Sequence, residues 1–308
     1  GVGGMHTYEK AYGEIFLNGR QRVSPLSVPM AMNNAAASHI AMALGLGSAC
    51  MTYSMACASS TVSIGEAFRR IQRGESTLMV AGGSESPLAF TIMRAWEAMR
   101  VVAQTDADNA YRACQPFQLG RKGLVLAEGA AALVLEDWDH AQARGARIYC
   151  EMAGYGQSCD RTHLVRPDAA GQARAIRAAL QDAELTPHEI DYVNAHGTAT
   201  PEGDPVEVEA LRQVFAQYAP MLMVSATKSM HGHSLGAVGA IEAAITVLAL
   251  ARQAIPPTAH LHTVDPACEG VRHVLGEGLR NVAARAAISN SFAFGGSNAV
   301  LAMRAVLH

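Results

Sequence analysis

Cys57 stands in YSMACASSTVSIGEAFRRI, between a short apolar run and a segment with helical spacing. A thiol at the first turn of a helix faces unsatisfied backbone N–H groups and the positive end of the helix dipole. Both favour thiolate over thiol, which is one way to make a nucleophile. Taken alone, a cysteine beside alanine and serine is more often packing, because free cysteine is among the most buried residue types. Two distant stretches shift that balance. His196, in VNAHGTATPEGDPVEVEAL, follows an apolar run and stands in a turn rich in Gly, Thr and Pro, where a side chain can project into a cleft. Lys228, His231 and His233 crowd into SATKSMHGHSLGAVGAIEAA, just ahead of an apolar helix. A cysteine and two histidine loops, each following a strand end, describe a cleft at one sheet edge.

Two other chemistries use the same residue types. A metal site is one, but the His231 and His233 spacing matches no common zinc pattern and no second thiolate ligand lies nearby. A Cys-His-Asn hydrolase is the other, with Asn290 or Asn298 available to orient the imidazole. That arrangement leaves Lys228 and the second histidine without a task.

The elements that must hold these residues read as layered α/β. Apolar runs bounded by Gly, Ser or Asn alternate with helical periodicity. Strands are expected at 51–56, 77–82, 131–136, 147–156, 190–195, 221–226, 285–290 and 299–305. After Cys57, the residues Ile64, Ala67, Phe68 and Ile71 share one helix face, leaving Arg69, Arg70 and Arg73 to solvent. Cys57 is therefore expected at a strand-to-helix junction. The plan of strand, polar turn and apolar helix recurs at MLMVSATKSMHGHSLGAVGAIEAAI, which divides the chain into pseudo-repeated halves, 1–145 and 146–308, packed as one compact unit.

Composition narrows the function. Half the residues are apolar and 17% are charged, which describes a globular chain with a large core. A formal charge of -3, with the basic residues scattered, offers no polybasic field for nucleic acid or an anionic membrane. Six cysteines without finger-like pairing fit a reducing, cytoplasmic setting. The apolar run from Ser234 approaches membrane length but carries Glu242, so a buried core helix is expected. The opening GVGGMHTYEKAYG has no signal-peptide pattern and starts on a glycine-rich turn with no strand before it, so upstream strands are expected to be missing.

Four stretches, MACASS, NAHGTATPEGD, KSMHGHSLGAVGAIE and SNSFAFGGSN, resemble in order and spacing the signatures of elongating β-ketoacyl-acyl-carrier-protein synthases. The resemblance covers essentially the whole chain. It implies a thiolase-like five-layer α/β/α/β/α fold and a homodimer that condenses malonyl-carrier protein with an acyl thioester, without metal or redox cofactor. The phosphopantetheine of acyl carrier protein would enter as part of the substrate. By the same resemblance Cys57 would carry the acyl group, and His196 and His233 would stabilise the enolate left by decarboxylation. Lys228 and Glu242 would orient the histidines, and the N–H groups of Cys57 and Phe294 would form an oxyanion hole. Thr198 and Thr200 match threonines that bind the pantetheine arm, although one of them could simply cap a turn. Phe292, Phe294 and Gly295 match a gating loop; Val2 and Met93 would line the acyl pocket, Val2 across the dimer interface.

The pattern has departures. His231 occupies a position where the family usually has a small hydroxyl residue, Ala293 replaces a glycine of the gate, and Gln118 and Lys122 replace aspartates. Arg20 and Arg22 could meet an acidic carrier protein or simply be solvated. The rival functions are a non-catalytic chain-length partner in a heterodimer, a thiolase acting on coenzyme A, and a scaffold that inherited the fold.

Overall fold

The computed structural model describes residues 1–306. The chain opens with the helices α1 (Met5–Phe16), α2 (Ser27–Ala31), α3 (Ala35–Leu44) and α4 (Ser59–Gln72). The strand β1 (Leu78–Glu85), the helix α5 (Phe90–Ala98), the strand β2 (Gly129–Glu136) and the helix α6 (Trp138–Ala143) complete the first half. The second half runs through β3 (Cys150–Cys159), α7 (Ala169–Asp182), β4 (Tyr192–Asn194), α8 (Gly203–Phe215), β5 (Met223–Ser225), α9 (Lys228–His231) and α10 (Val238–Arg252). Short strands β6 (Ala254–Ile255), β7 (Arg272–His273) and β8 (Leu279–Arg280) precede β9 (Ala286–Ala293) and β10 (Ser297–Ala305).

Six strands form one mixed sheet in the order β3-β10-β9-β4-β5-β7. β9, β4, β5 and β7 are parallel neighbours, and β10 runs antiparallel to both β9 and β3. Side chains alternate across a strand, and β10 uses this fully. Val300 and Ala302 join the core under α7 and α8, whereas Ala299, Leu301 and Met303 join the core under α4 and α10. The helices α4 and α10 therefore lie between this sheet and the antiparallel ribbon β1–β2. Their close approach needs a residue without a side chain. A Cβ on Gly239 of α10 would sit 2.0 Å from Thr61 Oγ1 of α4.

Seven of the eight expected strands form, with boundaries moved by a few residues. Residues 51–56 do not. A strand needs a neighbour to take its N–H and C=O groups, and among the described residues this segment has only an isolated bridge between Met55 and Cys57. Cys57 thus follows an irregular turn rather than a strand. The first-half sheet is correspondingly narrow, with two strands against six in the second half.

The segment Leu235–Arg252 is long and apolar enough to span a membrane, yet 61% of it is buried inside the protein and Glu242 lies fully buried within it. It is a core helix.

Candidate active site

His196 and Lys228 are delivered by the parallel strands β4 and β5, just beyond their carboxyl ends, where open α/β sheets place ligands. Cys57 arrives from the first half, two residues before α4, and His233 from the turn leading into α10. Cys57 Sγ lies 3.1 Å from His233 Nε2. The His196 and His233 rings meet edge to face with centroids 5.5 Å apart, and one donor atom from each of Cys57, His196 and His233 lies within 4.8 Å of the others. Residues 176 positions apart in the chain are thus in hydrogen-bond contact.

Backbone geometry aims the sulfur. Ala56 has φ +46°, an unfavourable conformation for a residue with a Cβ. Ser59 stabilises the turn by accepting the Met55 N–H at 2.8 Å while donating to the Ala56 carbonyl at 2.7 Å. Across the site, the strand-like segment 123–127 grips the other histidine: His233 N–H donates to Val125 O at 2.7 Å and Ala127 N–H to His233 O at 3.0 Å.

The buried Lys228 amine donates to Glu242 Oε1 at 2.6 Å and to the His196 carbonyl at 2.5 Å, and lies 3.3 Å from His196 Nδ1. An ammonium has only donors, so His196 Nδ1 must present its lone pair and the neutral ring carries its proton on Nε2. Burial, reinforced by Lys228, holds both His196 and His233 well below the usual imidazole range, so both rings are neutral at pH 7. Burial also raises the Glu242 carboxyl to about 7, against the opposing pull of Lys228.

The thiol departs from the sequence-based expectation. Burial outweighs the attraction of Lys228 and pushes Cys57 up to about 11. Cys57 is also outside the first turn of α4, so the helix end does not hold it ionised. The resting pair is a thiol beside a neutral imidazole.

Two carboxylates that the sequence did not single out hold the histidine loop. Glu207 of α8 accepts the N–H groups of His196 and Gly197, both at 2.8 Å, and Asn290 Nδ2 at 3.0 Å. Asp204 accepts from Thr198 N–H at 3.0 Å and Phe117 N–H at 2.8 Å, and Arg121 lies 3.4 Å away. Their i, i+3 spacing on α8, immediately after NAHGTATPEG, was the available signal. Asn290 therefore orients Glu207 rather than an imidazole, and Asn298 bonds Asp160 instead.

The remaining candidates divide. Thr200 Oγ1 accepts the Gly203 N–H at the start of α8, an ordinary cap, while Thr198 Oγ1 is 3.0 Å from it. Phe292 sets its ring edge-on 6.1 Å from His196, and Met93 packs against the core that contains Cys57. Phe294 stacks on Trp96, and Gly295 has φ +86°. Val2 is exposed on the single chain. His231 lies 3.2 Å from Thr227 Oγ1, which donates to Asn194, so it is linked to the site from behind. Gln118 accepts the loop N–H groups of His262 and Thr263. A groove of about 760 Å³ lined by Met30, Ile40, Met51 and the β1–β2 ribbon contains neither Cys57 nor the histidines.

Comparison with known families decides the class. Residues 1–141 match the family model "Beta-ketoacyl synthase, N-terminal domain" and residues 149–262 match "Beta-ketoacyl synthase, C-terminal domain". The chain belongs to the β-ketoacyl synthase family. It is 44% identical to "Nodulation protein E" of Rhizobium sp. (strain N33), covering 99% of this chain and 74% of that relative. It is 42% identical to "3-oxoacyl-[acyl-carrier-protein] synthase 2" of Staphylococcus aureus, covering 99% and 75%. A solved type II polyketide ketosynthase in complex with its acyl-carrier protein superposes with a TM-score of 0.93 at 31% identity, over 98% of this chain and 76% of that one. The β-ketoacyl synthase fold is thiolase-like, as the motifs implied.

Proposed function

We propose that this β-ketoacyl synthase is an elongating 3-oxoacyl-acyl-carrier-protein synthase that works through Cys57, His196 and His233. The observation that carries this reading is the contact of Cys57 Sγ with His233 Nε2 at 3.1 Å, beside a second neutral imidazole whose Nε2 bears its proton. In the first half-reaction the Cys57 sulfur attacks an acyl thioester on carrier protein. The S–acyl bond forms, the pantetheine thiol leaves, and the Cys57 proton passes to it by way of His233. In the second, malonyl-carrier protein loses CO2 and the thioester oxygen gathers the enolate charge. The neutral His196 Nε2–H stabilises that charge where it develops, and His233, its thiol partner now acylated, adds a second donor in the tautomer that carries the proton on Nε2. The carbanion then attacks the acyl-Cys57 carbonyl, forming the C–C bond and breaking the C–S bond, and the Cys57 thiolate released takes up one proton from solvent. The N–H groups of Cys57 and Phe294 hold the oxygen in this last step.

Lys228 and Glu242 fix the His196 tautomer, and the Lys228 charge makes the Cys-His-His trio a poor site for a divalent cation. We assign no metal or redox cofactor, and phosphopantetheine arrives with the carrier protein. The apolar residues Tyr12, Phe16, Val28, Met30 and Met42 of the first three helices are exposed on the single chain. Exposed apolar side chains gathered on three successive helices support a second ketosynthase-like subunit, most simply another copy. The presence of nucleophile and both histidines argues against the non-catalytic partner role. Six free cysteines support a reducing, cytoplasmic setting.

Incubation with radiolabelled acyl-carrier protein tests the assignment. The protein should form a covalent acyl adduct that Cys57→Ala abolishes; no adduct in the unaltered protein refutes the enzyme reading in favour of a scaffold.

A further inference from the structure

Cys57 is only 7% exposed, and His196 and His233 are as deeply buried. A thioester tethered to another protein cannot reach this sulfur unless something moves. The end of β9 offers an element with two available geometries. Ala293–Gly296 is a four-residue turn closed by Gly296 N–H to Ala293 O at 3.1 Å, with Gly295 at φ +86° in its third position. Those are the marks of a type II turn, and glycine at that position also tolerates the negative φ of a type I turn. Exchange between the two turns the peptide between Phe294 and Gly295 over, and swings what that peptide carries.

Two contacts oppose the exchange. Gly295 N–H donates to the Leu164 carbonyl at 2.7 Å, and the Phe294 ring stacks on the Trp96 indole with centroids 5.8 Å apart and planes 22° from parallel. Trp96 belongs to α5, a helix that is largely exposed, and it lies one turn from Met93 on the side packed against the core that contains Cys57 and Ala293. On the neighbouring strand residue, Phe292 touches His196. The turn is therefore coupled at one end to the reacting imidazole and at the other to the indole.

We propose that Trp96 is a positioning residue that holds the Ala293–Gly296 turn in its resting form and so sets which acyl chains gain entry to Cys57. The selectivity for acyl groups rests on the function proposed above; the control of access to the thiol does not. An aromatic stack of this kind biases an equilibrium by about three- to tenfold. Replacing the indole by a side chain that fills space without stacking should release the turn by that factor.

The test uses the full chain and two neutral probes of the thiol, iodoacetamide and an iodoacetamide bearing a long N-alkyl chain. Each forms an S–C bond at Cys57 with loss of iodide and of the thiol proton to buffer, and because Cys50 and Cys159 are exposed thiols as well, mass spectrometry of the proteolytic peptide that carries Cys57 reports the rates. Trp96→Leu should raise the long-to-short rate ratio by about three- to tenfold, while Trp96→Phe, which keeps the stack, stays within about twofold of the unaltered protein. Gly295→Ala provides an independent arm. Its Cβ meets nothing closer than 3.9 Å, so it strains only the positive-φ resting turn and should move the ratio in the same direction. An unchanged ratio in both Trp96→Leu and Gly295→Ala, or an equal shift in Trp96→Phe and Trp96→Leu, overturns the proposal. Failure of acyl-carrier protein to load Cys57 while these ratios shift as expected would instead overturn the proposed function and leave the control of access standing.

Discussion

Lys228 Nζ and Glu242 Oε1 are 2.6 Å apart, and neither side chain has any exposure to solvent. A pair this deeply buried gains little over an apolar replacement, but removing one member strands the other charge. Lys228→Met alone should therefore lower unfolding stability by about 3–5 kcal/mol. The double change Lys228→Met with Glu242→Leu should cost less than the single one. Urea midpoints for the unaltered protein, both single variants and the double variant complete the cycle; additive losses would mean the two side chains are not coupled.

The high thiol pKa fixes the direction of a pH experiment. A group raised to about 11 remains protonated through neutrality, so its ionised fraction at pH 8 is on the order of a thousandth and grows about tenfold per pH unit. Alkylation of Cys57 by iodoacetamide should keep accelerating above pH 9, beyond the point where an ordinary cysteine levels off. A plateau near pH 7 would reveal a thiolate–imidazolium pair instead.

His196 and His233 have different neighbours and should fail differently. His233 hydrogen-bonds the sulfur, whereas His196 is held by Lys228. His196→Ala should retain acyl transfer to Cys57 while losing malonyl decarboxylation by roughly 100- to 1,000-fold, the usual cost of one preorganised donor. Parallel assays of acyl-enzyme formation and CO2 release separate the steps, and equal losses in both would contradict the division.

Gly239 is where the two central helices touch. Gly239→Ala must displace Thr61, so a stability loss of about 1–3 kcal/mol is expected from overpacking. Because Thr61 Oγ1 also bonds Ser291 Oγ at 2.7 Å, adding Thr61→Ala should relieve the collision only partly. Thermal unfolding of the two single variants and the double variant checks the order; full recovery in the double variant would show that the hydroxyl bond contributes nothing.

Much of this architecture was legible because its signals are periodic or local. The alternation in β10 and the stripe Ile64, Ala67, Phe68, Ile71 announce which faces are buried, and small residues around His196 and His233 announce turns. Segment 51–56 misled because its β-branched and aromatic content describes a residue preference, whereas a strand exists only if a partner completes its ladder. The thiol pKa misled for a related reason. Helix-end electrostatics can be read from a local motif, but the burial that opposes them comes from Leu126, Ala293 and Leu235, which are remote in the chain and share one core with Cys57. Glu207 and Asp204 were overlooked because carboxylates on an amphipathic helix look solvated until the loop they hold is seen folding back over them.

The separation of Cys57 from His233 by 176 residues has a bearing on biosynthesis. A ribosome releases the nucleophile long before it makes the imidazole that receives its proton, and the strands that shelter both come last of all. During translation the sulfur is an ordinary cysteine, no more acyl-accepting than its five counterparts. The pairing of this thiol with its imidazole therefore exists only after β9 and β10 have closed over the shared core, and an unfinished chain carries the sulfur without the proton acceptor.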